Sequence, residues 1–141
     1  MIKSQIRNKI IKVRNKKFDK NLKIDLDKFI SFLKIKKLNS KNVGGYYPSN
    51  YEIDDLELLV LLKKKNFKVS LPIIKKNNQM NFYSWSRNNP LKINKFGIPE
   101  PLASKIIYPD ILLVPLVAYD GHLNRLGYGG GYYDRYIEKH E

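Results

Sequence analysis

The sequence of 141 residues contains no cysteine, one tryptophan and only two histidines. The lack of cysteine excludes disulfide bonds and thiolate metal sites, and it is compatible with a reducing interior. Two histidines, His122 and His140, are too few for a histidine zinc cluster. These absences exclude the disulfide-stabilised and zinc-cluster classes of small protein.

Long apolar segments are also lacking. The most apolar region, residues 106–119, is interrupted by Pro109, Asp110 and Pro115 before it could span a bilayer. No signal-like segment opens the chain, and we expect a soluble, cytoplasmic protein without membrane partners. No internal repeat or low-complexity linker is visible, and the length predicts a single domain, residues 1–141, around one three-layer core.

Acidic residues are scarce relative to basic ones: 13 Asp and Glu stand against 27 Lys and Arg, which gives a formal net charge of +14. Such a charge attracts polyanions, either a nucleic acid or a small polyanionic substrate. However, no run of Lys and Arg exceeds three residues, and no known nucleic-acid-binding module is present. We therefore favour lysines spread over solvated faces, with nucleic acid an unlikely partner.

Glycine is concentrated in one segment, where four of the five residues from Gly127 to Gly131 are glycine. Without Cβ atoms the backbone can approach a ligand and aim consecutive N–H groups at one point. Arg125 before the glycines can pair with phosphate oxygens, and Asp134 after them can bind Mg²⁺. A buried strand is predicted over residues 110–115 and a helix over residues 132–138, so the sequence predicts the order strand, glycine loop, helix.

Such a loop lies at the amino end of a helix, where the peptide dipoles favour an anion. The alternative for a glycine-rich segment is a flexible surface turn. The segment matches neither the Walker pattern nor the dinucleotide-binding pattern. Its spacing alone therefore predicts an anion-binding loop and no particular nucleotide class.

Apolar spacing predicts the remaining elements. Ile2, Ile6, Ile10 and Val13 recur at helical spacing and predict an amphipathic first helix, with Lys3 and Arg7 on a neighbouring face. The stripe from Leu22 to Leu33 predicts a second helix. For Lys3 and Arg7, the residue pattern alone favours an ordinary solvated pair.

Residues 43–47 read as a strand, and Ser49 to Glu52 fit a capping box that would open a helix ending near Lys65. Glu52 then has two open roles, an N-terminal cap or a ligand contact. Residues 67–72 and 80–85 alternate and predict a hairpin joined by a polar turn at 73–78, followed by a loop at 86–95. Together these patterns predict an α/β domain with three α/β/α layers and a mostly parallel, Rossmann-like sheet.

Taken together and in order, several segments resemble the 5-formyltetrahydrofolate cyclo-ligase family. The most specific is Arg-Leu-Gly-Tyr-Gly-Gly-Gly-Tyr-Tyr-Asp-Arg at residues 125–135. The others are Lys3 with Arg7, Tyr47 with Glu52, Leu71-Pro72, Met80 with Phe82, residues 97–101 and residues 110–115. The resemblance covers nearly the whole chain.

The resemblance implies an ATP- and Mg²⁺-dependent ligase that closes 5-formyltetrahydrofolate to 5,10-methenyltetrahydrofolate and releases ADP and phosphate. It implies that Lys3 and Arg125 are catalytic cations and that Asp134 binds the metal. It implies ATP-binding residues Lys3, Arg7, Arg125, Leu126, Gly127, Tyr128, Gly129, Gly130, Gly131, Tyr132 and Tyr133. It implies folate-binding residues Arg7, Tyr47, Glu52, Met80, Tyr128 and Tyr132.

The chain also departs from the family pattern. Asp55 stands where members commonly carry threonine, and Gly130 stands where some carry lysine. Members continue beyond the loop helix with further strands, so we expect the sheet to lack its C-terminal strands. The alternatives are a catalytically impaired remnant that still binds nucleotide or folate, or a basic nucleic-acid-binding accessory protein. We expect a monomer.

Overall fold

The computed structural model describes residues 2–141 and contains four α-helices in that range. The helices are α1 (Lys3–Lys17), α2 (Leu26–Ile35), α3 (Leu56–Lys64) and α4 (Tyr132–His140). The strands are β1 (Asn42–Gly44), β2 (Lys68–Lys75), β3 (Gln79–Ser84), β4 (Leu91–Ile93), β5 (Pro99–Pro101), β6 (Ile106–Ile107), β7 (Ile111–Leu112), β8 (Ala118–Tyr119) and β9 (Arg125–Leu126). No helix in residues 2–141 is both long and apolar enough to cross a bilayer.

The central sheet has five strands in the order β6-β3-β2-β1-β7. β1 pairs in parallel with both β2 and β7, whereas β3 is antiparallel to β2 and β6. Four of the five strands therefore point one way and only β3 is reversed. The predicted mostly parallel α/β sheet is confirmed.

Helices cover both faces of this sheet. On one face, α2 and α3 contribute Leu33, Leu58, Leu59 and Leu62 to a cluster that includes Trp85. On the other face, Tyr136 of α4 packs with Met80 and Phe82 of β3. Side chains of successive strand residues point to opposite faces, so the sheet separates the two clusters. The three predicted layers are present.

The predicted start of α3 is wrong. The capping-box segment forms a turn, because Asn50 and Tyr51 have φ values of 50° and 62°, which a right-handed helix does not accept. The helix begins instead at Leu56, whose N–H donates to Oδ1 of Asp54 at 2.8 Å. The turn places Glu52 ahead of the helix.

The polar turn predicted over residues 73–78 is shorter than expected, because β2 continues through Pro72 to Lys75. Ile74 donates its N–H to Glu100 and away from β3, so the nitrogen of Pro72, two residues earlier, also faces away from β3. On that side the pairing with β1 has already ended at Ser70. Proline therefore removes no ladder hydrogen bond here.

Two small hairpins were not predicted. β4 lies inside the loop expected at residues 86–95, and it pairs with β5, which follows that loop. β8 pairs with β9 between β7 and the glycines. The predicted order is corrected accordingly, since the glycine loop follows the two-residue strand β9. The buried strand predicted over residues 110–115 is also corrected: β7 covers only Ile111–Leu112, at the edge of the central sheet, and is half-buried.

Candidate functional site

The glycine loop, which we define as residues 127–131, connects β9 to the first turn of α4. Gly129 and Gly131 have φ values of 101° and 70°, a region that side chains disfavour, and Gly131 is the residue that precedes the helix. Within residues 2–141, the N–H groups of residues 128–131 donate to no backbone or side-chain acceptor of the protein. Consecutive backbone N–H groups without a protein acceptor, at the N-terminus of a helix, commonly form an anion-binding site.

Arg7 holds this loop against α1. Its Nε donates to the carbonyl oxygen of Gly127 at 2.7 Å. A Cβ atom on Gly129 would stand 3.4 Å from the Arg7 guanidinium, an ordinary contact distance, so the cation lies directly beside the loop backbone. Lys3 is exposed and lies one helical turn before Arg7. The structure therefore brings the predicted cation Arg7 to the loop.

Arg125 and Asp134 are paired with each other. Nη2 of Arg125 donates to Oδ1 of Asp134 at 2.9 Å, and Nη1 donates to the carbonyl oxygen of Pro115 at 3.0 Å. The Asp134 side chain is 76% exposed, and ion pairs this open to solvent contribute little stability. The pair can therefore open at low cost when a charged ligand competes for either partner.

Tyr128 connects the glycine loop to Glu52 by a hydrogen bond. Its hydroxyl donates to Oε2 of Glu52 at 2.9 Å, while Oε1 of Glu52 accepts from the N–H of Ser49 at 2.7 Å. Glu52 thus accepts from the Ser49 N–H as a capping residue would, but Ser49 lies in a turn and not at a helix start. Its predicted ligand contact stays a prediction. Burial raises the pKa of Glu52, against the lowering effect of these hydrogen bonds and of Arg14. Burial, and next the Glu52 charge, raise the pKa of Tyr128 to about 12.

Arg14 is a further cation at the site that was not predicted. Its Nη2 donates to the Tyr128 hydroxyl at 3.0 Å, and its Nη1 donates to the carbonyl oxygen of Leu116 at 2.7 Å. The spacing contained a signal, because Arg14 follows Arg7 by seven residues and so lies on the same face of α1. Its partners come from distant segments and could not be read from spacing.

The remaining aromatic residues of the loop face the α4 side. Tyr132 contacts Phe96 edge-on at 6.2 Å between ring centroids and lines a cleft of about 350 Å³ with Met80 and Arg135. Gly130 lies against the Tyr132 ring, which would be 2.9 Å from a Cβ atom there. Met80 and Tyr132, both predicted to bind folate, are therefore neighbours, and Met80 is buried in the cluster with Phe82 and Tyr136.

Three predicted residues are mainly packed or structural in this arrangement. Tyr47 packs against the core between the sheet and the α2–α3 face. Leu126 accepts a backbone hydrogen bond from Val117 at 2.8 Å and so fixes the start of the loop. The Tyr133 hydroxyl is buried without a partner in residues 2–141, and burial strongly raises the pKa of this tyrosine.

Asp55, which replaces the family's common threonine, is completely buried. Its Oδ2 accepts from the N–H of Tyr46 at 2.9 Å, while its Oδ1 has no partner among the described residues. Burial raises the pKa of Asp55 to about 7, although the Tyr46 hydrogen bond acts in the opposite direction. A side chain on Gly45 would place its Cβ 2.5 Å from Oδ2, so glycine is required for this contact.

No group of three or more His, Asp or Glu side chains in residues 2–141 is arranged to hold a metal ion. Asp134 offers one carboxylate at the start of α4, beside the amides of the glycine loop. Mg²⁺ is commonly held by one or two carboxylates together with substrate phosphates and water. The residues present therefore fit a Mg²⁺ ion that is carried largely by a phosphorylated ligand, and they do not fit a metal site built from protein alone.

The fold is thus that of a three-layer α/β domain, with a glycine loop at a helix N-terminus and Arg7 beside that loop. The model of the 5-formyltetrahydrofolate cyclo-ligase family matches residues 1–141. The chain belongs to this family, and the resemblance drawn from its sequence is confirmed.

Individual relatives agree with this assignment. The chain is 37% identical over 111 residues to the 5-formyltetrahydrofolate cyclo-ligase of Haemophilus influenzae, an alignment that covers 74% of this chain and 59% of that protein. It is 34% identical over 94 residues to the enzyme of the same name from Escherichia coli, covering 62% of this chain and 52% of that protein. The chain thus spans little more than half the length of these relatives.

Solved structures show the same fold. The 5,10-methenyltetrahydrofolate synthetase of Aquifex aeolicus superimposes with a TM-score of 0.72 at 33% identity, over 98% of this chain and 73% of that one. A 5,10-methenyltetrahydrofolate synthetase from Mycoplasma pneumoniae gives a TM-score of 0.69 at 22% identity, over 99% of this chain and 79% of that one. The second similarity concerns the fold alone.

Proposed function

We propose that this protein closes 5-formyltetrahydrofolate to 5,10-methenyltetrahydrofolate in an ATP- and Mg²⁺-dependent reaction that releases ADP and phosphate. The observation that carries the proposal is the glycine loop, whose amides at residues 128–131 have no protein acceptor within residues 2–141 and lie beside the Arg7 guanidinium. Family membership and the names of the relatives support the choice of substrate.

On the nucleotide side, we assign the triphosphate to the glycine loop and the cations around it. Arg7 is already at the loop, Lys3 lies one turn away on α1, and Arg125 becomes available when its pair with Asp134 opens. The tyrosines at 132 and 133 and Leu126 form the apolar surroundings of the loop. Phosphoryl transfer needs mainly positioning and charge stabilisation, which amides and guanidinium groups supply.

Asp134 is the residue that would hold Mg²⁺, released for this purpose from Arg125. When bound, the ion would neutralise the charge that develops on the phosphate oxygens. Arg125 would then turn from Asp134 towards the same oxygens, so the ion pair seen in the structure keeps both groups ready at the loop.

On the folate side, the Glu52 carboxylate would accept hydrogen bonds from the amino and N–H groups of the pterin ring, with Tyr128 beside it. Met80, Tyr132 and Tyr47 would provide apolar surfaces for the flat ring systems. Arg7 contacts the loop from α1 and would serve both the phosphates and the folate. The two predicted ligand groups thus meet across the glycine loop.

In the proposed reaction, the formyl oxygen attacks the γ-phosphorus and the bond to the β-phosphate oxygen breaks, releasing ADP. N10 then attacks the activated formyl carbon and loses its proton, and the carbon–oxygen bond breaks as phosphate departs. The protein's contribution is to hold the formyl oxygen in line with the γ-phosphate and to stabilise the transferred charge with Arg7, Arg125 and the loop amides.

The direct test follows formation of the methenyl absorbance after ATP, Mg²⁺ and 5-formyltetrahydrofolate are mixed with the purified protein. Arg125→Ala and Asp134→Asn should each lower kcat by about 100-fold or more, because each removes charge stabilisation at the transferred phosphoryl group. Arg87→Ala is the matched control. Arg87 forms an exposed ion pair with Glu57, with 2.7 Å between Nη2 and Oε2, and neither residue belongs to the proposed site. Full activity in both Arg125→Ala and Asp134→Asn would refute the site assignment.

Calorimetry separates the alternatives. Binding of ATP or folate without turnover would indicate a catalytically impaired member of the family. Tight, salt-sensitive binding to RNA without ATP binding would indicate a basic accessory protein. We also expect the protein to act as a cytoplasmic monomer, which light scattering and cell fractionation test.

A further inference from the structure

Arg14 lies in the last turns of α1, half-buried between segments that are far apart in sequence. Its Nη1 donates to the carbonyl oxygens of Leu116 at 2.7 Å and Val117 at 3.3 Å. Its Nη2 donates to the carbonyl oxygen of Asn50 at 2.5 Å and to the hydroxyl of Tyr128 at 3.0 Å. One guanidinium thus joins the helix, the turn before α3, the segment before β8 and the glycine loop.

This arrangement requires arginine. A guanidinium presents five N–H donors in a rigid planar fork, so Nη1 and Nη2 serve different acceptors at once, whereas lysine has a single nitrogen from which to reach all four. Three of the four acceptors are backbone carbonyls, which fix the plane of the Arg14 guanidinium independently of Tyr128. The position of the fourth acceptor, the Tyr128 hydroxyl, is thereby defined.

The Tyr128 hydroxyl in turn fixes the position of the Glu52 carboxylate. It accepts from Arg14 and donates its own proton to Oε2 of Glu52 at 2.9 Å. The other carboxylate oxygen is held by the N–H of Ser49. Glu52 is therefore fixed from one side by its own turn and from the other by a chain that begins on α1.

The charges around Glu52 make Arg14 important for its ionisation. Burial raises the pKa of Glu52, and the Arg14 charge lowers it. Acids and phenols surround this region: Asp54 and Asp55 from the turn before α3, Tyr46 after β1, Tyr128 from the loop and Tyr133 from α4. The nearby cations act on other groups, since Lys23 pairs with Asp54 at 2.6 Å and the Arg125 charge acts on Tyr133. Arg14 is the cation that favours the carboxylate form.

We propose that Arg14 is a positioning residue that acts through Tyr128 to orient the Glu52 carboxylate for the donor-rich pterin ring, and that links the folate side of the site to the glycine loop. The inference rests on the proposed function for the identity of the ligand. Arg14 itself touches neither the phosphates nor the reacting atoms in this role. Its removal should therefore affect folate binding more than ATP binding or the chemical step.

The experiment compares Arg14→Gln and Arg14→Lys with Lys12→Gln, which removes one charge from an exposed position of the same helix. Both Arg14 variants should raise the KM for 5-formyltetrahydrofolate by about tenfold, with kcat and the KM for ATP changed by less than about twofold. In Arg14→Gln, the rise in folate KM on the acid side should begin at a higher pH than in wild type, because the Glu52 carboxylate is protonated more readily without the Arg14 charge. Lys12→Gln should match wild type in all three quantities.

A second readout needs no substrate. Carbon-13 NMR of the Glu52 carboxyl group, assigned with Glu52→Gln, should show its pKa raised in Arg14→Gln and unchanged in Lys12→Gln, because only the first variant removes the charge that lowers it. An unchanged Glu52 titration, or equal changes in both KM values and kcat, would overturn the inference. If the wild-type protein binds no folate, the proposed function fails, while the titration still decides whether Arg14 controls Glu52.

Discussion

At the scale of single residues, Asp55 has the least ordinary environment in the described chain. It is completely buried, one of its oxygens has no partner within residues 2–141, and burial raises its pKa to about 7. The ordinary value is 3.8. The folded protein therefore binds the Asp55 proton more tightly than the unfolded chain does. Stability contributed by that proton is fully present below about pH 4 and is lost as the pH rises to about 7.

Asp55→Asn removes this titration and keeps the shape of the side chain. We expect the variant to be as stable as wild type near pH 4 and to gain on the order of 4 kcal/mol relative to it by pH 8, since each pKa unit corresponds to about 1.4 kcal/mol. Urea unfolding of both proteins at unit pH intervals measures this difference. Asp27→Asn, at an exposed position, controls for the loss of a carboxyl. A difference that does not vary with pH would show that Asp55 ionises like an exposed group.

At the scale of elements, the connection between the glycine loop and α4 depends on Gly131. This residue has a φ value of 70°, and a Cβ atom there would stand 2.7 Å from Nη1 of Arg135. Arg135 in turn donates from Nε and Nη2 to the carbonyl oxygen of Asn78, at the turn between β2 and β3. The conformation of one loop residue is therefore coupled to the packing of α4 against the sheet.

Gly131→Ala should destabilise the protein by about 1–2 kcal/mol, from the left-handed backbone and the displaced Arg135 side chain. ATP affinity should fall as well, because the loop amides lose their alignment. Gly121→Ala is the matched control: nothing lies within 4 Å of a Cβ there, and its φ is not positive. Urea unfolding and ATP titration measure both effects. Equal stability of the two variants would contradict the strained geometry.

The elements also show how far sequence reasoning reaches. α1, α4 and the β2–β3 hairpin were predictable as elements because their patterns are local. The apolar stripe predicted for α1 is not buried, however, since Ile2 is 64% and Val13 45% exposed. The start of α3 was not, because positive φ at Asn50 and Tyr51 is maintained by tertiary contacts such as the Arg14 bond to the Asn50 carbonyl. The hairpin of β8 and β9 has two residues in each strand, too few for a detectable alternation.

In the candidate site, too, some features could be predicted from the sequence and others depend on tertiary contacts. The family resemblance implied that the glycine loop, Arg7 and Glu52 belong to one site, and the contacts of Arg7 and Tyr128 bring them together. The pairing of Arg125 with Asp134 and the bridging role of Arg14 depend on side-chain directions that a single sequence does not specify. Whether these residues bind ATP, Mg²⁺ and folate stays a prediction for the experiments above.

At the scale of the whole molecule, two apolar clusters lie on opposite faces of one sheet. The larger contains Trp85 and packs under α2 and α3, and the smaller contains Met80 and packs under α4. Both clusters use β3 or the residue that follows it, so neither face can unfold without disturbing a strand that the other face needs. Chains of this size with one shared sheet usually unfold in a single step.

We therefore predict one cooperative unfolding transition for the chain as a single domain. Trp85, the only tryptophan, is 4% exposed and reports the larger cluster by fluorescence. The Met80 methyl group, 6% exposed as a residue, reports the smaller cluster by carbon-13 NMR. Their urea midpoints should agree within about 0.2 M, because a two-state protein gives the same transition by every probe. If the Met80 signal changes at clearly lower urea, the α4 face unfolds first and the glycine loop belongs to a separate, weaker unit.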